Sequence, residues 1–226
     1  MSNSECWYKN VCSDYWEVDA DQDCRMHCAK YIKMSYLMEN SGIPINKRKP
    51  LLLQPEVCDY EAFKRLAEIK DSIDIFVEEG KSLYITSAQV GNGKTSWSLK
   101  LLMKYFEKTW EFNTFKPTAR IVHVPTFLLK CKDFKNDDPE FEEIKRQLLD
   151  LDLVVWDDIA GASMTQYDYS QLLAVLDARD FNGLSNIFTG NLVSREDVEK
   201  ALGAKIASRM WNSKTEVIEF KGSERR

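Results

Sequence analysis

Apolar residues along this chain change period several times, and the changes mark out its elements. Phe63, Leu66, Ile69, Ile73, Phe76 and Val77 recur at helical spacing after Asp59, with Gly80 as a C-terminal stop. Ser82-Leu83-Tyr84-Ile85-Thr86 then reads as a short buried strand, and a helix is predicted from Lys94 to about Phe106. Further strands are predicted at Arg120-Ile121-Val122-His123-Val124, closed by Pro125, at Leu151 to Trp156, at Asn186-Ile187-Phe188-Thr189 and at Glu216 to Phe220. Helical stretches lie between them: one starting at Phe127-Leu128-Leu129, one from Glu140 to Leu149, and one marked by Tyr169, Leu172, Leu173 and Leu176. Tyr31 to Met38 reads as a short helix, and the polar, turn-rich Ser41-Gly42-Ile43-Pro44 and Lys47-Arg48-Lys49-Pro50 follow it. Strands alternating with helices predict an α/β domain, a parallel five-stranded sheet sandwiched by helices. Its ligand site is then at the carboxyl ends of the strands.

The predicted strand at 82–86 runs into Ser87-Ala88-Gln89-Val90-Gly91-Asn92-Gly93-Lys94-Thr95-Ser96. This is the phosphate-binding pattern G-x-x-x-x-G-K-[ST], with Ala88 in place of the first glycine. Gly91 and Gly93 let the backbone bend tightly and aim several N–H groups, that of Asn92 among them, at one anion. The helix opening at Lys94 adds its positive end to the same spot. Lys94 is placed to reach the β- and γ-phosphates of ATP, and the Thr95 hydroxyl, next to Ser96, to help hold Mg²⁺.

A glycine-rich turn before a helix is common, so a second motif matters. Leu153-Val154-Val155-Trp156-Asp157-Asp158 is a buried-strand pattern ending in two carboxylates. Asp157 suits a Mg²⁺-holding role through the ion's water shell, and Asp158 is placed to orient or deprotonate an attacking water. Thr189-Gly190-Asn191 follows the fourth strand, where Asn191 can hydrogen-bond that water and sense the γ-phosphate. Arg209, in Ala207-Ser208-Arg209-Met210, either lies in a surface ion pair or enters the ATP site of a neighbouring subunit to neutralise transition-state charge.

Composition narrows the picture. The 226 residues are 44% hydrophobic and 12% aromatic, enough for one domain with a well-formed core and a small appendage. The formal net charge of −5 excludes a generically basic nucleic-acid coat, so any DNA contact is expected to be local. Lys130, Lys132 and Lys135 are either such a contact or an ordinary solvated face. There is no long apolar run and no apolar signal core after Met1, so a cytoplasmic protein is expected.

Four of the six cysteines, Cys6, Cys12, Cys24 and Cys28, fall in the first 28 residues among acidic and aromatic side chains. So short a segment buries too little apolar surface to fold alone, and a thiolate-held Zn²⁺ supplies the missing stability. His27, beside Cys28, can replace one thiolate, and the alternative is a loosely ordered arm of reduced cysteines. The expected organisation is a zinc-binding module at 1–38, a linker at 39–50 and an ATPase domain at 51–226.

From Ser41 onward the chain resembles the DnaC/DnaI-type replicative helicase loaders of the AAA+ ATPases, and the IstB transposition helper ATPases beside them. The resemblance is carried by Ser-Gly-Ile-Pro at 41–44, Gly80-Lys81-Ser82-Leu83, Val90-Gly91-Asn92-Gly93-Lys94-Thr95 and Trp156-Asp157-Asp158-Ile159. It continues through Thr189-Gly190-Asn191-Leu192, Ile206-Ala207-Ser208-Arg209-Met210 and Phe220-Lys221-Gly222-Ser223. It implies an AAA+ fold, with Lys94 and Thr95 binding ATP and Mg²⁺, Asp157 holding Mg²⁺, Asp158 as the catalytic acid, Asn191 as sensor 1 and Arg209 as an arginine finger. Two departures are Ala88 and the absence of a helical lid after the fifth strand; the latter is typical of these loaders and implies slow ATP turnover.

The cysteine-rich start resembles the DnaI arrangement. That implies a helicase-gripping module at the N-terminus, a hexameric replicative helicase as partner, single-stranded DNA against the ATPase domain and self-association through Arg209. A phage-encoded loader would also suit the short chain. The competing expectations are an IstB-like transposition ATPase, which has no helicase affinity, and a nucleotide-gated adaptor that barely hydrolyses ATP.

Overall fold

In the computed structural model, which describes residues 28–48, 51–111, 116–132, 138–161 and 164–223, five strands pair in parallel. In chain order the elements are α1 (Ala29–Asn40), α2 (Tyr60–Asp71), α3 (Ile73–Glu78), β1 (Ser82–Thr86), α4 (Lys94–Thr109), β2 (Ala119–His123) and α5 (Val124–Cys131). They continue with α6 (Pro139–Gln147), β3 (Leu153–Asp157), α7 (Gln166–Phe181), β4 (Ser185–Gly190), α8 (Arg195–Leu202), α9 (Ala204–Met210) and β5 (Thr215–Glu219). The strand order is β2-β3-β4-β1-β5.

All residues of β1, β3 and β4 are buried, which explains why consecutive apolar residues fill their middles with no alternation of apolar and polar positions. Their side chains still alternate between two cores. Leu83, Ile85, Val155 and Ile187 face one core with Leu66, Leu101 and Phe106 of α2 and α4. Tyr84, Val154, Trp156 and Phe188 face the other with Leu172, Leu176, Ile206 and Met210 of α7 and α9. The chain leaves β1 through α4 toward β2 and leaves β4 through α8 and α9 toward β5. Neighbouring β1 and β4 therefore send their connections in opposite directions, which opens a crevice at their carboxyl ends.

The predicted helix at 31–38 is α1, and it belongs to the first of these cores. Met34, Leu37 and Met38 are buried there with Leu101 and Phe106, each contributing roughly 1.5–3 kcal/mol by area. The next residues cover the edge of the sheet: Ile121 N–H donates to Ser41 O (2.9 Å) and the Arg120 guanidinium to Asn40 O (3.0 Å). Gly42 has φ 78°, and a Cβ there would meet Ile121 O, so the edge is reached only through a glycine. Residues expected to form the end of the N-terminal module and the start of a linker thus share a core with the α/β domain. Turn chemistry alone did not reveal this, because the anchoring partners lie on β2.

The single helix expected at 63–77 is two, α2 and α3, split where the Ser72 hydroxyl and N–H both turn back to Glu68 O (3.0 and 3.3 Å). All six of its apolar positions are buried as expected. Pro125 does not merely end β2: it occupies the first turn of α5. No described helix is long and apolar enough to cross a membrane.

Candidate nucleotide-binding site

β1 ends at Thr86, and residues 87–93 turn over its carboxyl end before α4 begins at Lys94. Gly91 and Gly93 have φ of 72° and 102°, the left-handed region where a side chain is strained. Among the described non-glycine residues only Asp158 has a positive φ, so Ala88 takes the place of the first glycine without backbone strain. Two buried side chains hold the loop from inside. Ser87 Oγ accepts from Gln89 N–H (3.0 Å) and from the Asn92 amide, and both Ser87 and Asn92 are fully buried. Lys94 Nζ donates to Gln89 O (2.8 Å) and to Asn92 Oδ1 (3.3 Å). Burial lowers the Lys94 pKa from its ordinary value, and the Asp158 and Asp157 carboxylates oppose that shift.

The strand-end carboxylates meet this loop. Thr95 Oγ1 donates to Asp157 Oδ1 (2.7 Å), joining the loop to the end of β3. Thr189, near the end of β4, donates its hydroxyl to the same oxygen (2.7 Å) and accepts the Asp158 N–H (3.0 Å). Asp158 has φ 56° and is half-buried, and its carboxylate lies over Gly161 so closely that a Cβ at 161 would collide with it. The donor set beside Lys94, a carboxylate oxygen and a hydroxyl, suits a hard cation such as Mg²⁺.

The other predicted residues fall in different places. Asn191 is exposed just beyond β4, beside a turn fixed by the Tyr84 and Thr86 hydroxyls, which both donate to Leu192 O (2.8 and 2.7 Å). Ser96 lies in the first turn of α4. Arg209 is at the opposite end of the sheet from Lys94. It lines a cleft of about 220 Å³ with Gly80, Ser82 and Lys214, at the amino ends of β1 and β5. There its guanidinium donates to Asp177 (2.7 Å) and lies 3.5 Å from Asp180, both on α7; the Asp177 hydrogen bond raises its pKa.

Lys130 pairs with Asp138 (3.4 Å) and Lys132 with Asp168 (2.7 Å), so both are engaged by acids, while Lys135 lies outside the described residues. Cys6, Cys12, Cys24 and His27 also lie outside them. Cys28 caps α1, its Sγ accepting the Tyr31 N–H at 3.4 Å, and no cluster of three metal-ligating side chains occurs among the described residues. Thr189 stood in the Thr189-Gly190-Asn191 motif, but its ties to Asp157 and Asp158, the role of Ser87 and the packing role of Asn92 emerge only from the fold.

No protein-family model and no curated protein matches this chain. Solved structures do. The crystal structure of the DnaC helicase loader is 18% identical and superposes with a TM-score of 0.62, over 75% of this chain and 94% of that one. A putative primosome component from Streptococcus pyogenes serotype M3 is 20% identical, with a TM-score of 0.63 over 85% of this chain and 98% of that one. The crystal structure of DnaI is 18% identical, with a TM-score of 0.59 over 74% of this chain and 87% of that one. The chain has the fold of these proteins. It is the fold that the resemblance carried by residues 41–223 implied.

Proposed function

We propose that this chain is an ATP-dependent helicase loader, which binds a hexameric replicative helicase and helps place it on single-stranded DNA during replication. The observation that carries the reading is a coincidence of fold and site. The DnaC loader and the putative primosome component align over 75% and 85% of this chain, and the chain brings Lys94, Thr95, Asp157 and Asp158 together at the crevice between β1 and β4.

In this reading the loop N–H groups, the start of α4 and Lys94 bind the phosphates of ATP. Thr95 and Asp157 would hold Mg²⁺, which supplies charge neutralisation at the phosphates. A water oxygen bonds to the γ-phosphorus as the bond from that phosphorus to the bridging oxygen breaks, and ADP leaves with the electron pair. Asp158 takes the water's proton, and Asn191 orients the water. Arg209 serves a neighbouring subunit, because it lies at the far end of the sheet from its own Lys94. Its release from Asp177 and Asp180 costs little, since exposed ion pairs contribute about 0–1 kcal/mol. Cys6, Cys12, Cys24 and Cys28 would hold a Zn²⁺ that would supply the cross-link for an N-terminal module gripping the helicase.

The test is mass analysis of the protein mixed with its cell's hexameric replicative helicase, with and without ATP, using a variant lacking residues 1–27. That boundary spares α1, which a deletion through residue 38 would tear from the core. A complex lost on deletion is expected. No complex in either nucleotide state overturns the loader reading in favour of a transposition-type ATPase. ATP turnover no faster than in Asp158→Asn would instead mark a nucleotide-gated adaptor.

A further inference from the structure

We infer that Thr189 is a positioning residue for ATP hydrolysis, and that Gly161 is the space its action requires; the inference rests on the hydrolase part of the reading above. The hydroxyl of Thr189 makes two bonds at once. It donates to Asp157 Oδ1 (2.7 Å) and accepts the N–H of Asp158 (3.0 Å). The backbone of Thr189 adds a third tie, accepting the N–H of Ile159 (3.0 Å). Asp158 therefore sits between two residues fixed to one threonine of the neighbouring strand.

That fixing has a job, because Asp158 is the one described non-glycine residue in the left-handed region, at φ 56°. Such a conformation costs on the order of 1 kcal/mol or more and persists only when its surroundings over-determine it. The Thr189 hydroxyl and carbonyl supply that determination, and they do so from inside the sheet, where Thr189 is 2% exposed. The consequence is directional. The Asp158 carboxylate is turned back over Gly161, whose own N–H donates to Asp158 O (3.0 Å), and a methyl group at 161 would occupy the carboxylate's place. Gly161 is not in the left-handed region, so alanine there strains no backbone and displaces only the Asp158 side chain.

Thr189 also shares an acceptor with the phosphate loop. Asp157 Oδ1 receives both the Thr95 and the Thr189 hydroxyls, so the loop that holds the nucleotide and the turn that aims the catalytic acid meet at one oxygen. The Thr189 hydroxyl is already taken up by Asp157 and by the Asp158 N–H. It acts through Asp158, and its loss is expected in the chemical step rather than in nucleotide binding.

The experiment measures phosphate release and equilibrium binding of a fluorescent ATP analogue for the full chain and for Thr189→Val, Thr189→Ser and Gly161→Ala. Thr189→Val keeps the shape and removes the hydroxyl. It is expected to lower kcat about tenfold or more, the equivalent of one lost charge-oriented hydrogen bond, with KM and analogue affinity within about twofold of wild type. Thr189→Ser, which restores the hydroxyl, is expected to recover most of kcat. Gly161→Ala is expected to lower kcat while leaving affinity alone, and it tests the same turn if Thr189→Val does not fold. Wild-type kcat in Thr189→Val, or in Gly161→Ala, overturns the inference. So does a Thr189→Ser variant as slow as the valine, or a kcat loss matched by an equal loss of affinity. Wild-type turnover no higher than that of Asp158→Asn removes the hydrolase reading itself, and this inference with it.

Discussion

Arg179 and Arg209 occupy the same side of the sheet, and the fold treats them in opposite ways. Arg179, near the end of α7, is fully buried, and among the described residues its guanidinium is held by carbonyl oxygens rather than by a carboxylate. Its guanidinium donates to Asn186 Oδ1 (2.7 Å) and to the carbonyls of Leu148, Leu151 and Ser185 (2.8, 2.8 and 2.6 Å). Those carbonyls belong to the chain entering β3 and β4, so one side chain satisfies the backbone where two central strands begin. Burial pushes its pKa down to about 9, which still leaves it charged at neutral pH. Arg209 is partly exposed and meets two carboxylates that water also reaches. An ion pair looks like the stronger bond on paper, yet the buried arginine is the structural one. Its removal strands several acceptors in a low dielectric, whereas removal of Arg209 leaves two acids in water.

The contrast is sharpened by substitutions ranked by their cost to folding. Arg179→Met is expected to cost on the order of 3–5 kcal/mol, enough to lower the thermal midpoint by roughly 10 °C or more. A midpoint within a few degrees of wild type would erase the distinction between the two arginines. Gly80→Ala is expected to cost about 2 kcal/mol, because Gly80 has φ 62° and a Cβ would run into Gly183 O beneath the same strand starts. Arg209→Ala is expected to stay within about 1 kcal/mol of wild type in urea titration. Its ATP affinity should be unchanged, and its turnover should fall only at concentrations where subunits assemble. Equal turnover there rejects the finger role.

Lys94→Ala is expected to change folding least and nucleotide binding most. Burial already disfavours the Lys94 ammonium, so its folded pKa lies below its unfolded one, and the native state binds fewer protons as pH enters that window. Folding stability from this group therefore rises with pH, while affinity for an anionic nucleotide falls, starting below the usual lysine value of about 10.4. Calorimetric titration across alkaline pH checks both signs. Unchanged ATP affinity in Lys94→Ala refutes the phosphate-loop assignment.

Much of the site could be read from the chain because its parts are local. The glycines at 91 and 93, Lys94 and Thr95 sit within one turn, and two carboxylates close an apolar run at 157–158. These patterns are set by backbone conformation and by short-range spacing. The strands were legible for a related reason: a strand buried on both faces carries consecutive apolar residues through its middle. Arg179 was not legible. An arginine in a helix of mixed polarity reads as solvated, and two of the three backbone carbonyls that hold it, Leu148 O and Leu151 O, come from a segment about 30 positions away in sequence.

Local rules of turn and period, then, determined from sequence alone that this chain has an α/β core, a glycine-rich loop between its first strand and a helix, and a strand that ends in two carboxylates. Tertiary structure decided how those parts meet. It placed α1 and Ser41 on the domain's core and edge strand, put Thr189 between Asp157 and Asp158, and set Arg209 at the opposite end of the sheet from Lys94. The physical reason is that strand order, not sequence order, chooses neighbours. β4 lies between β3 and β1, so the threonine that orients the site arrives from a strand almost a hundred residues after the loop it serves.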